Sequence, residues 1–391
     1  MKKYRFIEDE LERRGLEYRR RFLRSVTPLS GGEVLVDGRK LLNFCSNDYL
    51  GLSRHPLLKK RALEFFDRYG AGSTASRLIC GSYNCFEDVE NKLASLKGVE
   101  AALVFNSGFQ ANSSLLPALT DKDSLILSDY LNHSSIIQGA LLSRCRVIPF
   151  NHNDVDHLRR ILWQNRDVGY SRILIVTESV FSVDGDMSDI DSMIALAEEF
   201  QALLIVDEAH ATGVLGPRGM GLTCGKGVDL TMGTFGKACG SFGAYVACSK
   251  QMRDYLINCC SGFIYTTAMP PSVVGSIDAA LELIPQMDEE RHELHMNADF
   301  LRKSLHKLGF NTGDSASQII PVIIGNEREA LAVSDWLEEN GVLATALRPP
   351  TVEQGGSRVR LTLTALHRKR DAERVIDIFR RWGKRDENRF S

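Results

Sequence analysis

Leu203-Leu-Ile-Val-Asp207-Glu-Ala-His210 is a short apolar run that stops at an acid, and further on the chain reads Thr234-Phe-Gly-Lys237, its lysine thirty residues beyond Asp207. The run is too short for a buried helix and has the length and composition of a strand covered on both faces. Similar runs recur at residues 102–105, 124–127, 147–150, 173–177, 230–234 and 244–248. Segments of helical spacing lie between several of them, notably 156–163 and 189–200. Strands alternating with helices predict an α/β fold: a mostly parallel, seven-stranded sheet with helices on both faces. Ligands of such sheets bind beyond the carboxyl ends of the strands, where Asn106-Ser-Gly-Phe109, residues 207–210 and Lys237 fall.

On the N-terminal side, residues 4–24 place Phe6, Ile7, Leu11, Leu16 and Phe22 among many charges, the pattern of an amphipathic helix on a partner or on the main body. Arg19-Arg20-Arg21 at its end reads first as a solvated basic face. Asp37-Gly38 between two apolar runs predicts a hairpin across residues 34–43. On the C-terminal side the pattern changes after Met269-Pro-Pro271 to one long charged helical stretch, residues 272–308. A smaller α+β unit follows, with strands at 318–324 and 358–362 and helices at 327–340 and from 368. The expected organisation is an N-terminal arm (1–45), a large ligand-binding domain (46–284) and a small C-terminal domain (285–391).

The balance of 48 basic and 50 acidic side chains over 391 residues leaves a formal charge of -2, which gives no global field for nucleic acid or an anionic membrane. The N-terminus lacks the apolar core of a signal peptide and no window is apolar enough to span a bilayer, so a cytoplasmic enzyme is expected. Nine cysteines form neither a CxxC pair nor a cluster with histidine, and they read as reduced packing residues rather than metal ligands.

An acid at a strand end and a lysine between small residues past a later strand are what pyridoxal phosphate requires. That cofactor takes an amine for a Schiff base, a carboxylate against its pyridinium nitrogen, and donors for its phosphate and phenolic oxygen. Asp207 ends an apolar strand, where an unpaired carboxylate is costly, although it could equally cap a helix. His210 and Ser182 are candidate donors to the phenolic oxygen, and His133 is placed to stack on a planar ring. The polar run from Phe105 to Ser114 opens a helix whose amides could receive a phosphate, with Gly108 permitting close approach. No Walker lysine accompanies it, and Gly219-Met-Gly221 is not a dinucleotide fingerprint.

Ordered motifs over nearly the whole chain resemble the α-oxoamine synthases, fold type I pyridoxal phosphate transferases that condense an amino acid with an acyl thioester and lose carbon dioxide. The resemblance runs from Asn43-Phe-Cys-Ser-Asn-Asp-Tyr-Leu-Gly-Leu52 through Ser107-Gly-Phe109, residues 129–133, 177–186 and 207–213, to Thr234-Phe-Gly-Lys237, Tyr265-Thr-Thr-Ala-Met-Pro-Pro271 and Arg358-Val-Arg360. It implies Lys237, Asp207 and His133 as catalytic residues. Cofactor contacts are implied for Ser107, Gly108, Phe109, Ser182, His210 and Thr234, and for Thr266 and Thr267 reaching the phosphate of a neighbouring subunit in a homodimer with shared sites. Substrate contacts are implied for Arg21, Asn47, His133, Arg348, Thr351 and Arg360, with Arg360 on the amino acid carboxylate. The segment from Leu347 to Thr364 is similar to the biotin-pathway member that joins L-alanine to pimeloyl-CoA or pimeloyl-acyl carrier protein. Residues 71–81 instead partly resemble the glycine-using 2-amino-3-ketobutyrate CoA ligases. A catalytically silent binding subunit, the reading from another class, would have no need of Lys237, Asp207, His133 and Arg360 together.

Overall fold

The computed structural model describes residues 2–387, which fall into two contact-dense units. The larger comprises residues 48–182 and 187–291. The smaller gathers residues up to 47, the short segment 183–186, and the chain from 292 onward. The N-terminal arm, expected as a separate segment, thus groups with the C-terminal part.

The larger unit is built on a seven-stranded sheet in the order Ala101–Phe105, Ala244–Cys248, Leu230–Thr234, Leu203–Asp207, Ile173–Glu178, Leu125–Asp129, Arg146–Phe150. All neighbours pair in parallel except Ala244–Cys248, which runs antiparallel to both strands beside it. The apolar runs are continuous because both faces are covered. On one face Leu103, Ile126, Leu174, Ile205 and Val246 pack with Leu115, Leu116 and Ile136 of the helices Gly108–Leu119 and Ser134–Leu142. On the other, Leu127, Ile175, Leu204 and Val206 pack with Leu158, Leu162, Met193 and Leu196 of Val155–Asn165 and Ile190–Glu199.

The long helical stretch expected across 272–308 is two helices, Pro271–Leu283 and Asp288–Lys307, divided by the turn Ile284–Gln286. Pro285 cannot donate a main-chain hydrogen bond, so the helical ladder ends there. The N-terminal helix is also shorter than expected, Arg5–Leu16, because Tyr18 takes a left-handed φ of 56°. Phe6, Leu11 and Leu16 stay exposed on it.

In the smaller unit the hairpin forms as its turn residues dictate: Glu33–Val36 pairs antiparallel with Arg39–Asn43 across Asp37 and Gly38, both at positive φ. Val26–Pro28 and Val342–Leu343 extend it to four strands. A second sheet orders Ile319–Gly325, Ser357–Thr362 and Thr345–Leu347, accompanied by the helix Glu327–Glu339.

Candidate active site

A cavity of about 200 Å³ in the larger unit lies at the carboxyl ends of the parallel strands. Gly108, Phe109, Asn112, His133, Glu178, Asp207, His210, Thr234 and Lys237 all line it. It therefore brings together seven of the residues expected from sequence. Ser107, Ser182, Thr266 and Thr267 belong to the same unit but do not line this cavity. Arg21, Asn47, Arg348, Thr351 and Arg360 belong to the smaller unit.

Lys237 follows the strand Leu230–Thr234, and its Nζ lies 2.7 Å from His210 Nε2. The other ring nitrogen of His210 meets the hydroxyl of the fully buried Tyr49 at 2.5 Å. Tyr49, His210 and Lys237 form a short chain that fixes the imidazole between a phenol and an amine. Asp207, the last residue of its strand, accepts from the Ala209 N–H and from the Asn112 amide, each at 2.8 Å. The second hydrogen of that amide goes to Ser135 Oγ at 3.0 Å, and Ser135 Oγ meets His133 Nδ1 at 2.7 Å. The Ser135 backbone N–H also points at Nδ1, at 3.2 Å. An N–H can only donate, so Nδ1 must accept, and the Ser135 hydroxyl donates to it as well. The proton of neutral His133 therefore sits on Nε2. Burial pushes this imidazole below its ordinary range, Lys237 acts in the same sense and Asp207 opposes both.

Behind Asp207 the chain buries an ion pair. Lys97 Nζ, at the end of helix Asn84–Lys97, donates to Glu208 Oε2 at 2.5 Å and to the Met220 carbonyl at 2.7 Å. Thr223 supplies Glu208 with its N–H and its hydroxyl, both at 2.8 Å. Gly221, at φ +91°, makes room for the carboxylate, since a Cβ there would stand 2.0 Å from Glu208 Oε2.

The chain matches the aminotransferase class I and II family over residues 39–379. It belongs to that family. A relative from Desulfosudis oleivorans, provisionally named as an 8-amino-7-oxononanoate synthase, is 59% identical over 98% of this chain and 99% of its own. The 8-amino-7-oxononanoate synthase of Gluconacetobacter diazotrophicus is 48% identical over 94% of each. Among solved structures, a lysine-to-alanine variant of serine palmitoyltransferase from S. paucimobilis with a bound PLP–myriocin aldimine superposes with a TM-score of 0.91, at 26% identity over 98% of both chains.

The residues present fit the family's cofactor. The cavity has an amine at Lys237 and a carboxylate at Asp207. The Thr234 hydroxyl is buried with no hydrogen-bond partner among the described residues, a donor in want of an acceptor. The helix Gly108–Leu119 begins at the cavity with Ser107 as its cap and brings free main-chain N–H groups there. A Cβ on Gly108 would come within 2.7 Å of Thr234 Cγ2, so glycine keeps this edge open.

In the smaller unit Arg360 and Arg358 alternate along the strand Ser357–Thr362. Arg358 is paired with Asp184, whereas Arg360 has only the Asn47 side-chain oxygen, at 3.1 Å, and among the described residues no carboxylate within ion-pair reach. Its Nε is buried without a partner. Arg21 donates to Thr351 Oγ1 at 2.9 Å, and Arg348 donates to the Tyr18 carbonyl. Asn112, Glu178, Ser135 and Tyr49 were not singled out in the sequence, although each stands in or beside a quoted motif.

Proposed function

We propose that this chain condenses L-alanine with a pimeloyl thioester, on coenzyme A or acyl carrier protein, to give 8-amino-7-oxononanoate, carbon dioxide and free thiol. The cofactor is pyridoxal 5′-phosphate and the setting is biotin synthesis in the cytoplasm. The observation that carries the reading is the contact of Lys237 Nζ with His210 in a cavity walled by Asp207 and His133. Relatives named as 8-amino-7-oxononanoate synthases support the choice of product, and the resemblance of residues 347–364 supports the choice of alanine and a pimeloyl thioester.

Bound there, pyridoxal phosphate supplies a protonated pyridine ring that takes up the electron pair left at the α-carbon when its hydrogen, and later its carboxylate, departs. Lys237 would hold the cofactor through its Nζ amine, and the same amine would take the α-proton of alanine. Asp207, its oxygens oriented by Ala209 and Asn112, keeps the ring nitrogen protonated. His133 would lie against the ring, and His210 with Ser182 would donate to the phenolic oxygen. Ser107, Gly108, Phe109 and Thr234 would receive the phosphate, together with Thr266 and Thr267 from the second subunit of a homodimer. Arg360, with Asn47 beside it, binds the alanine carboxylate through a charge-assisted pair. Arg21 and Thr351 contact the acyl donor, and Arg348 reads its far carboxylate. The α-carbon forms a bond to the thioester carbonyl carbon as the C–S bond breaks and the thiol leaves. The bond to the carboxylate then breaks, and a proton replaces carbon dioxide.

Product identification by mass spectrometry tests this with alanine, glycine and serine against a panel of acyl thioesters. The amino ketone from alanine and the pimeloyl thioester is expected to dominate. Preference for glycine with a short acyl group would replace the substrate assignment and leave the chemistry. Absence of a visible imine band in the purified protein would remove the cofactor reading.

A further inference from the structure

Three acids end three adjacent parallel strands on one edge of the large sheet: Asp129, Glu178 and Asp207. Their oxygens are unequally supplied. Asp129 accepts from the N–H groups of Leu131 at 2.9 Å and Asn153 at 3.0 Å and meets His152 Nδ1 at 2.9 Å. Asp207 has its two donors at 2.8 Å. Glu178, between them and buried, accepts among the described residues only the His133 N–H, at 2.6 Å on Oε1, and it borders the cavity. Neighbouring carboxyl groups in a dry wall do not both ionise readily, and the proton stays with the one that has fewer donors. Burial first, then the charge of Asp207, push the Glu178 carboxyl well above the carboxylate range, with Asp129 acting in the same sense. Lys237 and the His133 N–H oppose this. His133 and His210 are the remaining titratable groups that line the cavity.

We propose that Glu178 serves this site as a neutral carboxylic acid: Oε1 fixes the backbone of His133, and the other oxygen donates its hydrogen into the cavity, to an anionic oxygen of the bound cofactor. The donation to the cofactor rests on the pyridoxal phosphate reading above. The wall then presents one fixed anion, Asp207, where a ring nitrogen needs it, and a donor beside it where a second negative charge would repel an anionic ligand.

Glu178→Gln preserves shape, an acceptor for His133 and a donor for the cavity, whereas Glu178→Ala preserves none of these. An infrared difference spectrum between wild type and Glu178→Gln, both at neutral pH and stripped of cofactor, is expected to show the carbonyl stretch of a protonated carboxylic acid in the wild type alone. With pyridoxal phosphate as the probe, the dissociation constant followed by visible absorbance is expected within about threefold of wild type for Glu178→Gln and at least about tenfold weaker for Glu178→Ala, the loss of one buried hydrogen bond. A carboxylate band in place of the acid band overturns the proposal. So does a Gln variant as weak as the Ala variant, or an Ala variant as tight as wild type. The infrared result needs only wild type and the isosteric variant, and it decides the protonation of Glu178 even if pyridoxal phosphate fails to bind. Failure of the wild type to take up that probe would remove the cofactor reading instead.

Discussion

The strand-end acids of the larger unit and three arginines of the smaller one, Arg21, Arg24 and Arg348, handle charge in opposite ways. Asp129, Glu178 and Asp207 are short, buried side chains whose positions are set by backbone N–H groups and a buried amide. Arg21, Arg24 and Arg348 are long and partly exposed. They rest on a hydroxyl, on one exposed and one half-buried carboxylate, and on a carbonyl respectively. The first arrangement cannot relax when one member is removed, because the remaining groups are left unpaired out of water. In the second, water replaces a lost partner and side chains find new ones. In the proposed reaction, chemistry that must not vary would fall to the acids, and the proposed selection among acyl groups to Arg21 and Arg348, where change is tolerated.

The largest effect is expected from Lys237→Ala, which removes the group proposed both to hold the cofactor and to move the α-proton. Turnover should fall by at least about a hundredfold, the usual worth of a general base, with thermal unfolding little changed. Retention of most of the activity in a steady-state assay would put the chemistry elsewhere.

Lys97→Met strips a buried partner from Glu208 and should destabilise the fold by ~3–5 kcal/mol in urea unfolding. Lys97→Met combined with Glu208→Gln should recover much of that loss, because no uncompensated charge remains. A single variant as stable as wild type would show that this part of the larger unit relaxes as freely as the arginine segment.

His367 gives the smaller unit a buried group of its own. It stacks on Phe44 at 4.2 Å between centroids, accepts from the Thr364 N–H, and burial lowers its pKa to about 4. A histidine whose folded pKa lies below its unfolded value disfavours the native state only when protonated. Its stability is therefore intact above about pH 6.5 and is lost as pH falls toward 4, by up to ~3 kcal/mol. Unfolding free energies at pH 7 and pH 4.5 should differ more in wild type than in His367→Gln. Equal pH dependence would remove His367 as the cause.

The smallest effect is expected from Arg348→Leu: a KM for the pimeloyl thioester raised about tenfold, the scale of one charge-assisted hydrogen bond, with alanine KM unchanged and an uncharged acyl thioester much less affected. Equal losses for both thioesters would assign Arg348, through its bond to the Tyr18 carbonyl, to holding the N-terminal segment.

The seven strands were legible because burial on both faces makes each a continuous apolar run, and Lys237 and Asp207 because their sequence settings are unusual. Glu178 stood inside a motif read for Ser182. Its importance comes from its register beside Asp207, a relation across the sheet that spacing along the chain does not carry. Asn112 was hidden for the same reason, since its amide joins Asp207 to the Ser135–His133 pair, elements distant in sequence. The break at Pro285 was visible as a residue, but the charged pattern continued past it and was read as one helix.

The antiparallel strand Ala244–Cys248 has a consequence for biosynthesis. Ala101–Phe105, buried at every position, has that strand as its sole partner in the sheet and is made long before it. A ribosome must therefore release almost the entire sheet before this apolar segment can pair, and until then its edge is open to other chains. Chains cut short ahead of Ala244 should aggregate through residues 101–105, and this enzyme's yield in cells should follow chaperone supply during that interval.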